Sequence, residues 1–133
     1  MTVLRSIGAV ALSYIIVYGL VMLTDPVLIH FFPQQYDANK IPSVFFLWVS
    51  TLVFAAASVL GGWICVRMAP FAPVVHLLVL FAIGELIGLA FTARMWPTWP
   101  HWYSIAWLLV WPIGLWLGGL GRSRAGAAAP AVV

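Results

Sequence analysis

Glu85, in the stretch FAIGELIGLA (residues 81–90), is the residue that asks most of its surroundings. It stands near the middle of a run, about residues 74–93, that holds no other charge until its end. A carboxylate at the centre of a bilayer costs roughly 2.5–3.5 kcal/mol. Burial there favours the neutral acid unless a cation or a wet cavity is close. Gly84 and Gly88 flank it with a close-packing surface, so Glu85 is expected to face the bundle or another subunit. Neither Arg94 nor His76, nine residues away on either side, reaches it along an unbroken helix. The polar groups at matching depth are Tyr14 and Tyr18, then Ser50, Thr51 and Ser58, and the indole of Trp111. A hydrogen bond to one of the two tyrosines is the first expectation, and a hydroxyl of the second helix the next. Three roles follow: a neutral packing residue, a contact to a subunit or ligand, or a proton or cation relay. A relay usually needs several titratable sites along a path. The predicted interior offers one.

The other chemistry-bearing residues form weaker patterns. His30, His76 and His101 show no HxxxH or HxH spacing, so no metal or haem site is expected and interface positions are. There is no interior Ser-His-Asp set, no paired carboxylates, no phosphate loop and no HExxH, so no catalytic residue is assigned. The single cysteine, Cys65, rules out an internal disulfide and reads as a small buried hydrophobe. Asp25 and Asp37 belong to a predicted outer loop, with Asp25 before Pro26 as a turn or cap. Tyr103, Trp107 and Trp111 recur at i, i+4, i+8 and make one stripe that can stack on a quinone or pigment, or simply pack. Trp96, Trp99 and Trp102 lie with Tyr103 at one membrane boundary. Indoles anchor in the headgroup layer there, or form a docking surface.

The elements that must position these residues follow from composition. Of 133 residues, 65% are hydrophobic and 7% charged, and the mean hydropathy is +1.10. A soluble domain carries roughly 25% charged residues. The net charge of +3 comes from basic residues scattered singly, which argues against nucleic acid. Four stretches reach the length of about 20 residues needed to cross hydrocarbon: about 4–24, 43–68, 74–93 and 104–121. The first has no small-x-small cleavage site and reads as a retained helix. The expected fold is an all-α, four-helix transmembrane bundle formed by residues 1–121, with 122–133 a flexible cytoplasmic tail. Residues 25–42 form the longest loop, and its VLIHFF patch is expected to lie in the interface plane. Pro112 should kink the fourth helix.

Gly84/Gly88 and Gly114/Gly118 are GxxxG pairs, and Ala57/Gly61 and Ser58/Gly62 are small-x-x-x-small pairs. Such spacing lets helix backbones approach closely, within the bundle or between subunits. Arg5, Arg67, Arg122 and Arg124 fall on one side, Lys40 and Arg94 on the other, which predicts both termini inside. The layout, the LRSIGAV start, LGGWICVRMAP closing helix two and LWLGGLGR closing helix four resemble small four-helix bacterial membrane proteins of unassigned function. That resemblance implies a bacterial inner-membrane location and transfers no active-site residue. The function expected first is an accessory subunit of a larger membrane complex, without a cofactor. A small proton- or cation-coupled transporter using Glu85 comes second, and a lipid-, quinone- or pigment-binding protein third. The partners expected are the bilayer and other membrane subunits or a second copy.

Overall fold

In hydrocarbon a backbone amide finds no water, so each apolar stretch closes its own hydrogen bonds as a helix. The computed structural model describes the backbone of residues 1–128 and the side chains of residues 1–121. Its elements are α1 (Thr2–Phe31), α2 (Val44–Met68), α3 (Pro73–Met95) and α4 (His101–Ala128), with a single 3₁₀ turn at Pro33–Gln35. All four α-helices are long and apolar enough to cross a membrane, the fourth span covering His101–Gly121. The chain is an all-α, four-helix membrane bundle. Among the described residues there is no strand, only an isolated bridge between Tyr36 and Pro42.

α2 and α3 begin and end within two residues of expectation. α1 does not end at residue 24. It runs on to Phe31 through Asp25 and Pro26. Pro26 removes one N–H, but every following amide of the VLIHFF run can still bond within the helix, and hydrocarbon rewards that. Two expectations are thereby corrected. Asp25 is a helical residue, not a turn or cap in a loop. VLIHF is the last part of α1, not a separate patch beside it. The first helix therefore carries a carboxylate. α4 also starts earlier than expected, at His101, and continues through Ala128, past residue 121 where it was expected to stop. The rest of the expected tail, 129–133, lies outside the described residues.

α2 is the central helix. It packs most broadly on α4 and then on α1, while α3 leans on α4 and meets α1 and α2 sparsely. Leu47, Ala57, Cys65 and Val66 of α2 are buried with Ala9 and Val17 of α1, Leu80 of α3 and Leu115 of α4. The close approach of α2 and α4 is made by glycines. A Cβ on Gly118 would fall on the Val59 carbonyl, and one on Gly62 would fall on the Leu115 carbonyl. A Cβ on Gly114 would lie 2.5 Å from the Ser58 Cβ, and one on Gly61 would lie 2.5 Å from a Val17 methyl. These four glycines therefore face neighbours inside the chain.

The α1–α2 connection is tightly tied. Asp37 Oδ1 accepts from the amides of Asn39 and Ile41, both at 2.8 Å, and the Ser43 amide donates to the Gln35 carbonyl at 2.8 Å. Lys40, in that turn, and Ala72, before Pro73, have φ of 60° and 40°. The left-handed region penalises a Cβ, so Lys40→Gly and Ala72→Gly should each stabilise the bundle by about 1 kcal/mol. Denaturation midpoints in detergent check this. Unchanged or lowered midpoints would contradict it.

Candidate ligand cavity

Because α3 hangs mainly on α4, the space between α1 and α3 is not filled by side chains. A partly open cavity of about 440 Å³ lies there, lined by α1, α3 and α4, with Ser50 and Phe54 of α2 behind it. Glu85 lines it, with Tyr14 and Tyr18 opposite on α1. The two tyrosine rings stack at 6.0 Å and 16°. Neither delivers the expected hydrogen bond. Glu85 Oε2 is shut off from solvent and meets no hydrogen-bond donor or acceptor.

The other expected partners of Glu85 are engaged elsewhere. Ser58 donates to the Phe54 carbonyl at 2.7 Å within its own helix and does not line the cavity. Thr51 donates to the Leu47 carbonyl at 2.8 Å. Trp111 Nε1 donates to the Phe81 carbonyl at 3.2 Å across the α3–α4 contact. That approach requires Gly84, because a Cβ there would strike the Trp111 ring. Gly88 has more room: a Cβ would meet only Leu108 Cδ2, at 3.4 Å. Ser50 is the hydroxyl of α2 that does reach the cavity. It is 5% exposed and has no hydrogen-bond partner.

The aromatic stripe of α4 faces inward. Phe54 stacks on Trp107 at 4.2 Å and 12°, and on Trp111 at 6.0 Å and 6°. Tyr14 meets Trp111 edge-on at 6.4 Å. Tyr103, Trp107 and Trp111 all line the cavity, as does Trp99, which stacks on Tyr103 at 5.4 Å. Trp96 and Trp102 stand apart from it. They are exposed, stacked respectively on His101 at 3.9 Å and on Trp48 at 5.1 Å.

Asp25 is the lining residue that sequence reasoning placed wrongly. Thr24, Thr92 and Ser104 line the cavity as well. The signal that finds Asp25 is the apolar run after Pro26, which is long enough to carry the helix onward. Edge contact between Tyr14 and Trp111, and the seat of Trp111 against Gly84, set Glu85 near the depth of Tyr14. Asp25 is eleven residues further along α1, roughly 16 Å by helical rise. Glu85 and Asp25 thus line the cavity at two different depths of the bundle. Tyr36 and Tyr103 lie within electrostatic reach of Asp25. Burial, and then the Asp25 charge, push the Tyr36 phenol above its ordinary ionisation range. The Tyr103 hydroxyl sits among the Ser50 hydroxyl and the Trp107 indole, neither of which reaches hydrogen-bond geometry.

The histidines are dispersed. His76 Nδ1 lies 3.1 Å from the Ala72 carbonyl, His101 Nε2 lies 3.2 Å from the Trp96 carbonyl, and His30 meets Phe31 edge-on. Comparison with family models, curated proteins and solved structures gave no match.

Proposed function

We propose that this membrane protein takes a small, largely apolar molecule into the cavity between α1, α3 and α4. The observation that carries the reading is Glu85 Oε2, buried without a protein partner at the wall of an aromatic-lined cavity. An unsatisfied buried polar group costs about 1–3 kcal/mol, and that cost is lifted when a ligand supplies the partner. The cavity is of the size that accepts a small organic molecule. In the sequence Arg5, Arg67, Arg122 and Arg124, against Lys40 and Arg94, favour an orientation with the N-terminus in the cytoplasm. The setting proposed is a bacterial inner membrane.

Native mass spectrometry of the detergent-purified chain tests the reading. It should show an adduct of a small organic molecule. Gly88→Leu should remove that adduct, because the new side chain enters the cavity while its Cβ meets only a flexible leucine. An adduct-free wild type, or adducts unchanged in Gly88→Leu, would contradict it.

A second reading, an accessory subunit of a larger membrane complex, is favoured by the exposed stacked pairs Trp96–His101 and Trp48–Trp102. The bundle's close-packed glycines do not add to it, because Gly61, Gly62, Gly84, Gly114 and Gly118 are occupied within the chain. Mild-detergent purification from the native host separates the two. Stoichiometric larger subunits that are lost on Trp48→Ala would support the subunit role. Elution of the chain alone would count against it.

A further inference from the structure

We propose that the ligand of this cavity is an organic ammonium ion with an apolar, ring-bearing body, held by Glu85 and met, at a different depth of the same wall, by Asp25. The assignment rests on the cavity being a ligand site. It follows from the charges that line the cavity and from those that do not. Asp25 and Glu85 both line it, and among the described residues no cationic side chain lines the cavity beside these two acids. An anion is repelled by them. A neutral molecule can hydrogen-bond a protonated acid but gives an ionised one no counter-charge. A cation supplies the missing partner, as intramembrane acids require.

The remaining walls suit the same ion. Tyr14, Tyr18, Tyr103, Trp107 and Trp111 present ring faces and edges, and aromatic faces attract cations most strongly where water is excluded. Ser50 is an independent sign. Its hydroxyl is more than nine-tenths buried, lines the cavity and has no partner, so it is free to accept an N–H. One proline adds an acceptor. Pro26 carries no N–H, so the carbonyl of Met22, four residues back, lacks its usual helical donor, and both residues line the cavity. The wall also holds a buried donor without a partner, Trp107 Nε1, which the ring face of the ligand's body can accept.

Calorimetric titration of the full chain in detergent tests this with 4-phenylbutylammonium and with 4-phenylbutanol, which has the same body without the charge. Empty micelles provide the blank. The ammonium should bind at least about tenfold more tightly than the alcohol. Glu85→Gln should remove that preference. Asp25→Asn should weaken ammonium binding by about threefold, a smaller loss because Asp25 lies roughly 16 Å along α1 from the depth of Glu85 and acts on the ammonium at longer range. Gly88→Leu, or Thr92→Phe if the first variant does not elute as wild type, should abolish both. Equal binding of the two probes, or a preference that survives Glu85→Gln, overturns the cation assignment and leaves the ligand site standing. If neither probe binds but the mass spectrum holds a cavity-dependent adduct, the cation assignment alone falls. If both are absent, the ligand reading falls with it.

Discussion

Glu85→Met is expected to stabilise the empty bundle by about 2 kcal/mol and to abolish ligand binding in the same stroke. The two effects have one cause. Glu85 Oε2 is buried without a partner, so the native state bears the desolvation of a polar group and recovers nothing for it. Methionine has nearly the same length and no such group, and its flexible thioether fits irregular space. The cost removed is the one that ligand binding otherwise relieves, so the variant gains stability and loses its site. Glu85→Gln keeps the polar group and should stay within about 1 kcal/mol of wild type. Unfolding midpoints in mixed micelles, measured without added ligand, check this. A destabilised Glu85→Met would mean that the carboxyl is a structural hydrogen-bonding residue.

Gly118→Leu is expected to prevent the α2–α4 interface from forming. A Cβ at this position would fall on the Val59 carbonyl and lie 2.7 Å from the Trp63 amide nitrogen, both of them backbone. Backbone cannot rotate away as a side-chain tip can, so the helices must separate. Even Gly118→Ala should cost about 3 kcal/mol, at the upper end for overpacking. The same substitution elsewhere should behave differently. Gly19 has nothing within 4 Å of a Cβ, so Gly19→Ala should stabilise α1 by about 0.5–1 kcal/mol through helix propensity alone. Unfolding midpoints of Gly118→Ala and Gly19→Ala, compared side by side, should move in opposite directions. A shift of the same sign and size in both would contradict the interface described.

The architecture was legible in the sequence because a membrane leaves few options. Apolar stretches of spanning length become helices whatever their propensities, and α2 and α3 match expectation closely for that reason. The end of α1 was not legible, because an Asp-Pro pair marks a boundary in water and is tolerated in hydrocarbon. That single boundary concealed Asp25, and with it the second acid of the cavity. Glu85 stood out from sequence because it is costly anywhere in a span. Its partner could not be read, since depth alone does not say which helix faces it. Ser58 and Ser50 lie on the same helix two turns apart, yet only Ser50 opens on the cavity, because Ser58 sits under Gly114 of α4. The stripe of Tyr103, Trp107 and Trp111 was visible as a stripe. Its direction was set by Phe54, a residue that carried no signal of its own.

The most direct test uses the fact that Glu85 is the only glutamate in the chain. Cell-free synthesis with ¹³C-glutamate labels this one side chain, and its carboxyl signal can be followed by NMR in detergent. Addition of 4-phenylbutylammonium should shift that signal in a saturable way, and 4-phenylbutanol at the same concentration should shift it much less. A carboxyl signal that stays fixed while the ammonium binds would show that Glu85 does not face the ligand, and the account of the cavity would be wrong.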